Sequence, residues 1–355
     1  MSTVAYLNPA MLLAGKQLDN NWKVIDLITK HLEGTGGNFS YSYNVINTET
    51  GEKAFLKALD FSMALKSSNP LQRMGQLTGF FQFEQNVLEL CKNKRLNRII
   101  NLIEAGTVPA EEGSIIPVPY FIMELAAGDI YHQMDFSKKI DHILNLKILH
   151  SVCVALYQLH NNGIAHQDVK PSNILRITDG PHKLGDLGRA DLRGETTPYG
   201  LMPFAGDPAY AAPEVHYKAV SQDWVFRRIA SDAFQLGSMI TFLYTQLNMT
   251  AIMKIYIAPE HNWSNWTQTY REVLPYLYVA LEQSIDFFKS NVDDKELGEE
   301  LGNLLYQLCD PDPNKRGHPK TIFGKNKTIS LERYNTIFDR LLKKQEMNAL
   351  KLRMN

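Results

Sequence analysis

The stretch HQDVKPSNIL, residues 166–175, gathers a carboxylate (Asp168), a cation (Lys170) and an amide (Asn173) in one short loop. Phosphoryl transfer has a use for each. The carboxylate can accept the proton of an attacking hydroxyl, the ammonium can neutralise charge on a moving γ-phosphoryl group, and the amide can coordinate Mg²⁺. Asp186, in the turn GDLG, offers a second and anionic metal ligand, with Gly185 and Gly188 leaving the turn free to aim it. Mg²⁺ takes oxygen ligands and keeps several waters, so one Asp and one Asn suffice from the protein. Upstream, Lys57 closes the apolar run AFLK, where a cation wants an anion, and Glu84 lies on or beside the apolar face of a helical segment and can pair with it. A lysine fixed in this way holds nucleotide phosphates in line. The Gly-rich turn GTGGNF, with Gly34, Gly36 and Gly37, lets backbone N–H groups approach phosphates because no Cβ intervenes.

These residues need elements to hold them. From Trp22 to Leu59 the texture is β: WKVIDLI, then SYSYNVIN and KAFLKAL on either side of the turn TETGEK. Residues 60–79 are polar and mixed and read as a loop or insertion. FFQFEQNVLELCKN then spaces Phe80, Phe83, Val87, Leu88 and Cys91 as a helix, and two short strands follow around IINLIEAG and PYFIMEL. After Gly128 the pattern turns helical: NLKILHSVCVALYQLHNNG ends in a helix stop, and from Asp223 onward helices dominate. The expected architecture is α+β and bilobal. A small antiparallel sheet with one helix (about 22–124) precedes a larger, mainly helical lobe (about 128–323), flanked by an extension (1–21) and a helical tail (324–355). A ligand is expected between such lobes.

Composition excludes several alternatives. The chain has 355 residues, long enough for about two domains, and 37 Lys plus Arg balance 38 Asp plus Glu. No net field points to nucleic acid or an anionic membrane. Cys91, Cys153 and Cys309 are far apart in helix-like surroundings and read as reduced, buried thiols of a cytoplasmic protein rather than as a disulfide or zinc set. The N-terminus lacks a basic region ahead of a sustained apolar stretch and does not read as a signal peptide. The most apolar long window, 232–257, contains Asp232, Gln235, Thr241, Gln246, Asn248 and Lys254, which suits a buried core helix better than a membrane span.

In order, the chain presents a Gly-rich loop, AFLK, a helix glutamate, HQDVKPSN, DLG and APE. From about Trp22 to Phe323 it resembles a eukaryotic-like (Hanks-type) protein kinase, and KPSN resembles the serine/threonine branch, with Lys170 carrying the distinction. The resemblance implies ATP as donor, Mg²⁺ as cofactor and a protein hydroxyl as acceptor. It makes Met123 the gatekeeper, with Glu124 and Ala126 offering backbone hydrogen bonds to adenine and Asp129 facing the ribose. It pairs Glu214 with Arg316, makes Asp232 a brace for the catalytic loop and assigns His166 to packing. The chain departs from the family pattern at several points. The third loop glycine is replaced, Ser42 takes the position of a valine, Gln167 stands where an arginine usually precedes the aspartate, and Asp207 stands in place of a threonine. An Asp168–Lys170–Asp207 cluster is therefore expected. Without the arginine, phosphorylation at Thr196 or Thr197 is not expected to govern basal activity, although Arg189 or Arg193 offer substitute cations. Three readings compete: an active serine/threonine kinase, a pseudokinase scaffold, and a small-molecule kinase of the aminoglycoside or choline type.

Overall fold

The computed structural model describes residues 8–28, 39–109, 117–134, 140–325 and 328–354. The chain divides into two compact units, Met1–Gly128 and Asp129–Asn355.

The first unit is built on five antiparallel strands in the order β1-β2-β3-β5-β4: β1 (Trp22–Leu27), β2 (Ser40–Asn47), β3 (Lys53–Leu59), β4 (Leu102–Val108) and β5 (Val118–Glu124). The expected TETGEK turn joins β2 to β3. Asn47 accepts the N–H groups of Glu49 and Thr50 on its side chain, and Gly51 takes a φ of +73°, a conformation that suits glycine. One face of the sheet buries Trp22, Val24, Tyr43, Val45, Leu56, Tyr120 and Ile122. Ala10, Leu13 and Leu18 complete that core, so residues 8–21 are a cover for the sheet rather than a loose extension. Tyr43 donates its hydroxyl to Ala10 O at 2.6 Å, and Gly15 donates its N–H to Val24 O at 2.9 Å. The periodicity is hidden because these apolar residues sit in a 3-10 turn and irregular chain, where no repeat is required.

The segment 60–79 also differs from expectation. A short helical turn, α1 (Ser62–Leu65), leads to a 24-residue helix, α2 (Pro70–Asn93). Asn69 caps it by accepting the N–H of Gln72, and Pro70 occupies the first turn, where a missing N–H costs nothing. Its first two turns bury almost nothing, and Leu71 is 83% exposed, so the apolar signal begins only at Leu77. The buried stripe runs Leu77, Phe81, Glu84, Val87, Leu88, Cys91, neighbours mostly three or four apart, with Phe81 in place of Phe80.

In the second unit, α3 (Ile130–Gln133) is capped by Asp129, and α4 (His142–His160) by Asp141. Four two-residue strands follow: β6 (Ile164–Ala165), β7 (Ile174–Leu175), β8 (Lys183–Leu184) and β9 (Asp191–Leu192). β6 pairs with β9 and β7 with β8, so the 166–173 loop and the Asp186 turn are each pinned at both ends. α5 (Pro213–His216) precedes a π turn at Val225–Ile229 that runs directly into α6 (Ala230–Thr245), buried along nearly its whole length. The 232–257 window is two helices, not one. Gln246 adopts φ +64° and ends α6, and Asn248 caps α7 (Met249–Tyr256). No helix among the described residues is long and apolar enough to cross a membrane. The unit is completed by α8 (Tyr270–Ser290), α9 (Lys295–Leu308), α10 (Pro319–Ile322) and α11 (Glu332–Met354). α11 packs along α4 and buries Tyr334, Phe338 and Leu341 at helical spacing. Cys91, Cys153 and Cys309 are free and buried, and burial pushes the Cys91 thiol up to about 12.

Candidate active site

In the first unit, Lys57 on β3 stands opposite Ser42 on β2 and Phe121 on β5, so all three share a face of the sheet. α2 covers that face, with the rings of Phe81 and Phe121 4.6 Å apart. Lys57 Nζ lies 2.7 Å from both carboxylate oxygens of Glu84. Glu84 sits in the buried stripe of α2, where a carboxylate is costly unless paired. Where β5 leaves the sheet, Glu124 donates its N–H to Asn101 O at 3.0 Å, and its carboxylate accepts the Asn101 N–H at 2.6 Å. Met123 is buried at that strand end and Ala126 follows in the connecting chain. Gly34, Gly36 and Gly37 lie outside the described residues.

The second unit gathers the loop residues. Asp168 Oδ1 accepts the backbone N–H of Asp207 at 2.8 Å, while Oδ2 accepts the Asn173 amide at 3.1 Å and lies 3.1 Å from Lys170 Nζ. Lys170 is also 3.6 Å from Asp207 Oδ2, so the cation stands between two carboxylates. Asn173 commits Nδ2 to Asp168, to its backbone oxygen at 2.8 Å as well as its side chain. The amide oxygen, the atom a hard cation would take, is thereby turned to the other side. Asp186 occupies a left-handed turn (φ +56°), and the preceding Gly185 donates its N–H to Asn173 O at 2.9 Å. The oxygen donors of Asp186 and Asn173 fit a hard, partly hydrated cation. Asp129 uses its carboxylate as the cap of α3 and as the partner of His132 Nδ1 at 2.9 Å.

The loop itself has little regular structure and is held by buried polar contacts. Asp232, fully buried on α6, accepts the backbone N–H groups of His166 and Gln167 at 2.8 Å each, and also lies 2.9 Å from His160 Nε2. His166 accepts the Asp168 N–H on Nδ1 at 3.2 Å, and its Nε2 lies 3.0 Å from Gly185 O, so its ring links the 166–173 loop to the Asp186 turn. Glu214 on α5 receives a two-pronged bond from Arg316, 2.8 Å to each oxygen, and both are buried.

Three residues that hold these segments escape sequence reasoning. Gln235, one turn beyond Asp232 on the same face of α6, accepts the Val169 N–H and donates to Gln167 O. The position i+3 from a buried acid was the available signal. Arg228 and Asp191 form a buried pair at 2.6 Å, and neither belongs to a motif. Arg189 and Arg193, the cations nearest in sequence, lie over the rings of Tyr199 and Trp224 instead.

The chain matches the family described as protein kinase domain over residues 31–326. It belongs to the protein kinase family, and its sheet-plus-helix unit and larger helical unit are those of the kinase fold. Among its relatives is CBL-interacting serine/threonine-protein kinase 26 of Arabidopsis thaliana, 26% identical over 238 residues, 65% of this chain and 49% of that protein. The mouse hormonally up-regulated neu tumor-associated kinase is 26% identical over 284 residues, 79% of this chain and 33% of that protein. CBL-interacting protein kinase 26 of Oryza sativa subsp. japonica is 24% identical over 281 residues, 79% of this chain and 48% of that protein. The matched region thus spans half or less of each relative's length.

Proposed function

We propose that the chain is an ATP-dependent serine/threonine protein kinase acting in the cytoplasm, with its catalytic domain at about 22–323. The single observation that carries this reading is the ordered set on one loop: a carboxylate oriented by the Asp207 N–H, a lysine 3.1 Å from it, and an asparagine bonded to it through Nδ2 alone. On this reading the acceptor hydroxyl oxygen of a serine or threonine forms the new bond to the γ-phosphorus. The bond from phosphorus to the ADP oxygen breaks, and Asp168 takes the hydroxyl proton. Lys170 offsets charge on the transferring group, and Lys57, held by Glu84, fixes the α- and β-phosphates. Glu124 and Ala126 bind adenine through their backbone, and the 34–37 glycine loop covers the phosphates. Asp186 and Asn173 would hold Mg²⁺, which would supply positive charge to offset that of the phosphates.

The test supplies purified protein with Mg²⁺ and γ-labelled ATP, in parallel with generic protein substrates and with aminoglycoside and choline-type alcohols. Label recovered as phosphoserine or phosphothreonine is expected. Label on the small alcohols alone would replace this reading with a small-molecule kinase, and nucleotide binding without transfer would make the chain a pseudokinase.

A further inference from the structure

The stretch between the Asp186 turn and α5 is held by a residue far downstream. Arg228 is fully buried, yet its guanidinium is satisfied on every side. Nε donates to Asp191 Oδ2 at 2.6 Å. One terminal nitrogen donates to Gln167 Oε1 at 3.2 Å and to Pro203 O at 3.3 Å. The other donates to the carbonyls of Tyr199, Gly200 and Met202 at 3.1, 3.1 and 2.9 Å. Gln167, beside the catalytic aspartate, returns a bond from its amide to Arg228 O at 3.0 Å. We propose that Arg228 is a positioning residue that ties segment 199–203 to the catalytic loop, so that the segment is ordered without a phosphate on it.

The local structure explains why the arginine is available. Asp223 accepts the N–H groups of Val225 and Phe226, and the π turn that follows places Arg228 on the buried side one turn ahead of Asp232. Five hydrogen bonds to neutral oxygens plus one carboxylate use the whole fork of donors, a set of partners that a bound phosphate would otherwise supply. No donor remains on Arg228 for an added phosphate. Thr197 is buried and gives its hydroxyl to Asp191 Oδ1 at 3.4 Å. A phosphoryl group at Thr197 would therefore set negative charge against the carboxylate that neutralises Arg228 and would oppose the clamp. Thr196 is exposed and lies outside this set.

The catalytic consequence rests on the kinase reading above; the ordering does not. The test is amide hydrogen exchange on the full chain, before and after phosphatase treatment, at Gly200, Met202 and Asp207. Their N–H groups bond to Thr197 O, Tyr199 O and Asp168 in the ordered segment. Protection and turnover unchanged by phosphatase are expected. The double variant Arg228→Met/Asp191→Leu removes both charges together. It should still melt cooperatively and bind Mg-ADP, with exchange at these amides faster by a hundredfold and KM for the protein substrate raised while KM for ATP holds. Arg228→Lys keeps the ion pair but cannot reach the carbonyls, and should speed exchange by about tenfold even if the double variant fails to fold. Unchanged exchange in Arg228→Lys, or loss of protection in the parent on phosphatase treatment, would overturn the clamp. Protection without any phosphoryl transfer would uphold the clamp and defeat the kinase reading alone.

Discussion

Asp168→Asn separates the chemistry of the loop from its architecture. The Asp168 carboxylate only accepts: Oδ1 from the Asp207 N–H at 2.8 Å, Oδ2 from the Asn173 amide at 3.1 Å, with Lys170 Nζ also 3.1 Å away. An amide of the same shape has one oxygen to offer. That oxygen will face Lys170 and Asn173, where a charged donor is strongest, and the new NH₂ will then oppose the Asp207 N–H. A buried donor left without its acceptor costs about 1–3 kcal/mol. In a unit of this size each kcal/mol lowers the melting temperature by roughly 2–4 °C, so the variant still folds. The chemical loss is larger. Removing a positioned general base lowers the rate by roughly 10²–10⁴, about 2.7–5.4 kcal/mol of barrier at 1.36 kcal/mol per tenfold. Lys57, Glu84 and Asp186 are untouched, so the loss should fall on kcat, with nucleotide affinity near that of the parent.

Single-turnover rapid quench at saturating Mg-ATP gives the first quantity and calorimetric titration with ADP gives the second. Phosphoryl transfer within threefold of the parent rate would refute the base assignment. A collapse of nucleotide binding in step with turnover would show instead that Asp168 acts through the fold.

Gly206 is where the segment crosses the loop: a Cβ there would stand 2.0 Å from Gln167 O, a backbone atom that cannot swing away. Gly206→Ala should therefore displace the Asp207 N–H from Asp168 and cut kcat at least tenfold while the chain still folds, with parent-like turnover counting against this role. Glu214→Gln leaves the buried Arg316 without its counter-ion, at about 3–5 kcal/mol, and should lower the melting temperature by about 10 °C; a fall under 3 °C would show that the pair is dispensable. Leu13→Ala removes a fully buried side chain from the sheet cover and should cost about 2–5 kcal/mol in denaturant unfolding, whereas a loose extension would cost nothing. Burial, aided by Arg176, holds His182 down at about 4, so the unfolded chain binds the extra proton between the ordinary value near 6.5 and 4. Stability should fall as pH falls through that window, by up to about 3 kcal/mol, and His182→Gln should flatten that part of the pH–stability curve.

What was legible in the sequence was whatever local pattern requires. β1, β2 and β3 alternate because one face is buried more fully than the other, and the Lys57 and Glu84 side chains stand out as charges in apolar runs, which is why their pairing could be expected. The first half of α2 was not legible, because a helix that buries nothing over two turns leaves no periodic trace; only the Asn69–Pro70 cap marked it. The N-terminal cover was missed for the opposite reason. Ala10, Leu13 and Leu18 are buried without being periodic.

The 232–257 window shows where local reading stops. Its polar residues argued against a membrane span, and the structure sorts them by what they satisfy. Asn248 caps α7, Thr241 bonds back to Ser238 O, and Gln246 ends α6 in a left-handed turn. Those three serve their own backbone, and their partners lie within a few residues. Asp232 and Gln235 serve a segment some 65 residues away, accepting the N–H groups of His166, Gln167 and Val169. A buried carboxylate on an otherwise apolar helix announces that it has partners, since the cost of burying it alone is several kcal/mol. It does not announce which ones. The 166–173 loop has the complementary gap: a chain that forms no ladder must find donors and acceptors elsewhere. Both halves of this pairing were visible as unmet requirements, and only the fold joins them. The same holds for Arg228. Asp232, four residues on, is a nearby buried acid, but the carbonyls of 199–203 and the Asp191 carboxylate call for the cation only once the chain has brought them together.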